Sequence, residues 1–171
     1  MILAIDVHYR EEIARVVSIE FEDWNAIVPT TIHVKEIPET PPYVPGQFYK
    51  RELPCIMEIL KCSDLSNIKA IIVDGYVVLD DLGKKGLGGY LYDHLNQAIP
   101  VIGVAKKRFH SLDKLTLPIF RGASKKPLYV TCLGGELAEY AQKVQDMQGD
   151  YRFPELLKIL DMETKRKSEN N

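Results

Sequence analysis

Ala70-Ile71-Ile72-Val73-Asp74-Gly75 is a continuous apolar run closed by an aspartate and a glycine. Apolar residues without polar alternation suit a strand buried on both faces, as in the centre of a parallel sheet. The opening stretch Met1-Ile2-Leu3-Ala4-Ile5-Asp6 has the same form. An aspartate that closes such a strand sits at the carboxyl edge of the sheet, where open α/β sheets bind ligands. Pairing of the two strands would make Asp6 and Asp74 neighbours. Glu52 falls at the start of a predicted helix between them. Two strand-end aspartates and a helical glutamate are hard oxygen donors suited to Mg²⁺, and such a site serves metal-assisted phosphodiester hydrolysis. Taken singly, a strand-end aspartate is more often an Asx-turn cap. Brought together, the three would repel one another without a cation.

Working outward, residues 15–22 alternate as a second strand and residues 30–37 as a third, with a short link that suits an antiparallel meander. Pro38, Pro41, Pro42 and Pro45 make residues 38–46 a stiff extended loop. A helix is predicted over 49–62 from the apolar stripe Leu53, Ile56, Met57 and Leu60. Pro54 fits only its first turn, which sets the start near 51–53 and Glu52 at the amino-terminal end. Residues 84–89 read as a basic, glycine-rich turn, 90–97 as a helix and 100–104 as a strand. Strands are predicted over 115–120 and 128–132, and helices over 136–147 and 154–162. The polar tail 165–171 is expected to fray. Three antiparallel strands followed by helix–strand alternation give a mixed α/β sheet flanked by helices.

The chain has 171 residues, of which 46% are hydrophobic and 27% charged. This suits a single domain over 1–164 with its own core. No apolar run approaches the roughly 18 residues of a membrane span. No signal peptide is visible, and Cys55, Cys62 and Cys132 lack metal or disulfide spacing. A cytoplasmic monomer without membrane association is expected. The formal charge of −2 does not attract nucleic acid as a whole, so any such binding needs a local basic surface.

Gly103-Val104-Ala105-Lys106-Lys107-Arg108 supplies the most concentrated basic spot, able to contact phosphates. Tyr43-Val44-Pro45-Gly46 is a tight turn whose aromatic ring can wedge between bases or simply pack on the loop. Lys84-Lys85 and the glycines Gly86, Gly88 and Gly89 do not fit a GxGxxG or Walker pattern. His8, His33, His94 and His110 are scattered and form no Ser/His/Asp triad. His8 falls near the site rim.

Six blocks in one order resemble the endonuclease V family over nearly the whole chain. Asp6-Val7-His8-Tyr9 is similar to its first aspartate motif, and Pro42-Tyr43-Val44-Pro45-Gly46 with Arg51-Glu52-Leu53-Pro54 to its P-Y-[IV]-P-G…R-E-x-P block. Val73-Asp74-Gly75 resembles its V-D-G strand end, and residues 100–107 its P-x-I-G-V-A-K-K stretch. Pro127-Leu128-Tyr129-Val130 and Tyr151-Arg152-Phe153-Pro154 resemble its last blocks. The resemblance implies a ribonuclease-H-like fold, with Asp6, Glu52 and Asp74 holding Mg²⁺ or Mn²⁺ as the catalytic metal. It implies Lys106 near the scissile phosphate, Tyr43 as a wedge, and Pro45, Gly46 and Lys107 against nucleic acid. The implied substrate is inosine-containing DNA or RNA, cut at the second phosphodiester 3′ of the lesion, with the flipped base read in a pocket beside the sheet.

Two family histidines are missing. Asp74-Gly75 is followed by Tyr76-Val77-Val78, with Asp80-Asp81 near the first histidine's place, and Cys132-Leu133-Gly134-Gly135 stands where Gly-His is usual. Asp80, Asp81, Glu136 and Glu139 are the acidic candidates to replace them. A weakened nucleic-acid-binding relative and a nuclease for another DNA or RNA structure are the alternatives.

Overall fold

A computed structural model describes residues 1–38, 42, 44, 45 and 47–167. β1 (Ile2–Arg10), β2 (Ile13–Phe21) and β3 (Thr31–Pro38) form the expected antiparallel meander. β4 (Ala70–Asp74) lies parallel to β1, and β5 (Val101–Ala105) parallel to β4. β6 (Leu117–Ile119) and β7 (Leu128–Leu133) complete one sheet in the order β3-β2-β1-β4-β5-β7-β6. Beyond β5 the sheet turns antiparallel again, with β7 against β5 and β6 against β7. β6 is shorter than the periodicity predicts. Pro118 lies in its middle, opposite Tyr129, on the sheet edge, where a missing N–H costs least.

Alternation along the central strands feeds two cores. Ile2, Ala4, Ile72, Ile102 and Val104 face α3 (Leu137–Asp146) and α4 (Glu155–Lys165). Leu3, Ile5, Ile71, Val73 and Val101 face α1 (Phe48–Leu60) and α2 (Leu87–His94). Among the described residues, no helix is long and apolar enough to cross a membrane.

Three helix boundaries differ from the expectation. α1 starts at Phe48, so Pro54 lies in its second turn and Glu52 is its fifth residue, not its first. A turn closed by the Gln47 N–H on the Val44 carbonyl leads into the helix. Pro54 is exposed, and water can take the carbonyl its missing N–H leaves free. α2 starts inside the glycine-rich segment. Its glycines serve packing: a Cβ on Gly88 would stand 2.8 Å from Val77 Cγ2, and one on Gly89 2.6 Å from the Val77 carbonyl. α4 runs on to Lys165, a residue expected in the tail.

Candidate active site

Parallel pairing of β1 with β4 stops at Ile5–Val73, so Asp6 stands beside Asp74 at the end of β4; β1 itself does not end at Asp6 as expected but runs on to Arg10, held by its pairing with β2. Both share a face with Ile72 and Ala4 and point toward α4. Glu52 reaches them from α1 across the edge of the sheet. A cleft of about 600 Å³ is lined by Asp6, Glu52 and Asp74, with Tyr49, Tyr76, Leu79 and Phe109 as its apolar wall. Gly75, at φ 118°, turns the chain away directly after Asp74.

α4 contributes a fourth carboxylate that the sequence reading missed. Asp161 lines the recess beside Asp6 and Asp74 with Phe153, Leu157 and Leu160. Its signal was available: Leu157, Leu160, Asp161 and Thr164 follow one helical stripe, so an acid interrupts an otherwise inward-facing row. The buried Thr164 hydroxyl donates to Asp6 Oδ2 at 3.0 Å and lies 2.8 Å from the Asp161 carbonyl. The Val7 N–H donates to Asp6 Oδ1 at 2.9 Å.

Electrostatics leave the cluster short of positive charge. Burial, then the Asp74 charge, raises Asp6 to about 6, and these outweigh the bonds from Thr164 and Val7. Burial, then Asp6 and Asp74, raises Glu52 to about 8 against the opposing pull of Arg51. Arg51 itself lies over the Tyr9 ring, 3.6 Å from its centroid. Asp74 opens to solvent, yet the protein packed around its carboxyl raises it despite Lys106. A cation would relieve all three groups. Among the described residues, no three acidic, histidine or cysteine side chains close into a metal-ligand cluster. The donor set nonetheless fits a hard cation: oxygens only, converging from β1, β4 and α1, with Asp161 adjacent.

Lys106 follows β5 directly, and its Nζ lies 3.8 Å from Asp161 Oδ1 and 4.5 Å from the centroid of the Phe153 ring. Lys107 lines the cleft, and its carbonyl accepts the Tyr76 hydroxyl. Pro45 is exposed in the turn before α1. Tyr43 and Gly46 lie outside the described residues. Burial, then the nearby Arg10 and Lys165 charges, lower the pKa of His8, two residues beyond Asp6 on β1.

The candidates for the missing histidines are otherwise engaged. Asp80 Oδ1 accepts the N–H groups of Leu82 and Lys84, and Asp81 Oδ1 those of Asp113, Lys114 and Leu115. Glu136 and Glu139 follow β7, whose end at Leu133 pairs with Val101 at the start of β5. They therefore sit toward the opposite edge of the sheet from Asp6 and Asp74.

The endonuclease V family model matches residues 1–148. The chain belongs to the endonuclease V family. An endonuclease V from Thermus thermophilus is 30% identical over 148 residues, covering 73% of this chain and 63% of that protein. One from Xylella fastidiosa is 40% identical over 77 residues, covering 44% of this chain and 30% of that protein. The chain thus spans less than two thirds of these relatives. Endonuclease V of Ciona intestinalis, solved with a 24mer DNA containing an inosine followed by a ribo-adenosine, superposes with a TM-score of 0.78 at 16% identity, covering 95% of this chain and 83% of that one. Human endonuclease V gives 0.71 at 21% identity, covering 95% and 82%. The fold is the ribonuclease-H-like fold of endonuclease V.

Proposed function

We propose that this endonuclease V family member is a metal-dependent endonuclease that hydrolyses phosphodiester bonds near inosine in DNA or RNA. The observation that carries the reading is the adjacency of Asp6 and Asp74 where β1 and β4 cease to pair, with Glu52 facing them and raised to about 8. Asp6, Asp74 and Glu52 would hold Mg²⁺ or Mn²⁺, with Asp161 in reserve beside them. When bound, such an ion supplies Lewis-acid polarisation of phosphate oxygens and a water of lowered pKa.

The chain's own groups do the rest. Thr164 and the Val7 amide fix the Asp6 carboxylate. Lys106 offers its ammonium to a non-bridging phosphate oxygen. Lys107 and Pro45, with Tyr43 and Gly46 of the same sequence block, would contact the strand. The cleft with Tyr49, Tyr76 and Phe109 has the aromatic lining and the volume to take an extruded base. DNA containing inosine in the Ciona intestinalis complex supports that substrate class.

Nicking of an inosine-containing oligonucleotide with Mg²⁺ or Mn²⁺, and its loss in Asp74→Asn, is the test. No cleavage with either ion at high enzyme concentration overturns the proposal, and binding without cleavage favours a weakened nucleic-acid-binding relative. A nuclease for another nucleic-acid structure is the second reading. It is favoured by the 76–86 segment, which closes on itself through the Val78–Lys85 bridge where the family carries histidine. Preferential cutting of a branched or flapped substrate at fixed salt would select it.

A further inference from the structure

Two consecutive carbonyl groups just beyond β5 are each held by a side chain from another part of the chain. The Tyr76 hydroxyl donates to the Lys107 carbonyl. Arg152, between α3 and α4, donates from Nη2 to the Lys106 carbonyl at 2.5 Å and to the Pro127 carbonyl, at the entry to β7, at 2.7 Å. Phe153 lays its ring beneath the Lys106 ammonium, and the Tyr76 ring packs against Phe109 with 5.7 Å between centroids.

Residues 106–116 belong to no helix or strand. Such a segment has freedom to move unless side chains tie its backbone. Here the ties reach the end of β4. Tyr76 follows Gly75, whose N–H donates to the Val104 carbonyl at 3.0 Å, and Asp74 pairs with Val104 in register. The Asp74 turn and the strand end that carries the lysines are therefore joined twice, at Val104 and at Lys107. Beyond that point the two lysines diverge. Lys106 reaches Asp161 and Phe153, while Lys107 lines the cleft. The bonds to the two lysine carbonyls lie open to water. Hydrogen bonds of that kind contribute modestly to folding, so their weight falls on where the lysines stand.

We propose that Tyr76 and Arg152 are positioning residues that hold the Lys106–Lys107 backbone in a set relation to Asp74, placing Lys106 at the phosphate beside the carboxylates and Lys107 at the phosphate nearest the cleft. This rests on the metal-dependent nuclease reading above. Neither residue touches the reacting atoms, and each acts through a lysine. Tyr76 governs Lys107 and hence strand affinity. Arg152 governs Lys106 and hence the chemical step, where a displacement of about 1 Å can cost about 100-fold.

The test combines steady-state cleavage of an inosine-containing oligonucleotide with Mn²⁺ or Mg²⁺, binding of that oligonucleotide in EDTA across a salt series, and urea unfolding. Tyr76→Phe removes only the hydroxyl. It should raise KM about threefold to tenfold with kcat nearly kept, and lower the salt slope of binding by up to about one phosphate contact. In a Lys107→Ala background the same change should add nothing. Arg152→Gln should lower kcat about tenfold, and Arg152→Lys, which keeps a donor for the Lys106 carbonyl, should recover part of the loss. The urea midpoint of Tyr76→Phe should match that of the unmodified protein. Unchanged KM and salt slope in Tyr76→Phe, unchanged kcat in Arg152→Gln, or a Tyr76→Phe effect that persists in full without Lys107 overturns the assignment and leaves the nuclease reading standing. Activity losses that only track the urea midpoints overturn it as well. Absence of cleavage by the unmodified protein with either ion overturns both.

Discussion

The buried hydroxyl of Thr164, in the last turn of α4, donates to the carboxylate of Asp6, in the middle of β1, at 3.0 Å across 158 residues of sequence. One hydrogen bond thus fixes a site carboxylate and docks the final helix on the sheet. Thr164→Val keeps the volume and removes the donor. A bond to a charged acceptor contributes about 1.5–3 kcal/mol. Urea unfolding at pH 8 should show a loss of that order, shrinking near pH 5, where Asp6 holds a proton and can satisfy itself otherwise. An equal loss at both pH values would mean that Thr164 matters to packing alone.

Stability without metal should fall as pH rises. Asp6 and Glu52 move from ordinary values of 3.8 and 4.5 to about 6 and about 8 in the fold. Between the ordinary and the raised value the unfolded chain has lost a proton that the folded chain still holds, so each step up in pH favours unfolding. Below pH 4 the penalty is absent, and above pH 8 it is complete. At about 1.4 kcal/mol per pKa unit its ceiling is about 8 kcal/mol for the pair, reduced because the two groups share their mutual repulsion. Thermal melts in EDTA should descend from pH 5 to pH 8, and Mn²⁺ should raise the melting temperature more at pH 8 than at pH 5. Melts independent of pH over that range would contradict the crowded-acid picture.

Gly103 lies under the backbone that presents Asp74. A Cβ there would stand 2.5 Å from the Gly75 carbonyl oxygen and 2.6 Å from Thr131 Oγ1, the acceptor of the Val77 N–H. Neither backbone nor a buried, bonded threonine yields easily. Gly103→Ala should cost about 1–3 kcal/mol by overpacking, read as a lowered urea midpoint. It should also lower cleavage, because the Asp74–Gly75 turn must move. Full activity and an unchanged midpoint would show that β5 shifts freely, against the close packing described.

Asp81 ties two loops together through one carboxylate oxygen on three successive amides, those of residues 113–115, at 2.8–3.2 Å. Asp81→Ala should speed hydrogen exchange at these amides and leave the central strands protected. Cleavage should respond mainly in KM, because the loosened 106–116 segment carries Lys107 and Phe109 of the cleft. If kcat alone collapses, Asp81 is doing chemistry and the structural assignment fails.

The sequence by itself determined the sheet's centre and the two carboxylates set beside each other there. Ala70–Asp74 and Ile2–Asp6 are too apolar to lie anywhere but between two helical layers, and each apolar run closes on the carboxylate that parallel pairing sets beside the other, although β1 continues past Asp6 to Arg10. The antiparallel meander, the flanking helices and the endonuclease V motifs were equally local, carried by periodicity and short blocks. Where prediction failed locally, packing overrode propensity: Pro54 entered α1 because its missing bond faces solvent, and Gly88 and Gly89 joined α2 because only they fit against Val77. Tertiary structure alone decided the rest. Whether Asp80, Asp81, Glu136 or Glu139 could serve the site depended on which amides they bind and which sheet edge they occupy. Asp161 joined Asp6 and Asp74, 155 and 87 residues away in sequence, because α4 packs on the face toward which both aspartates point. No spacing along the chain encodes that meeting, since it is set by the handedness of the crossovers and the stripe by which the helix docks.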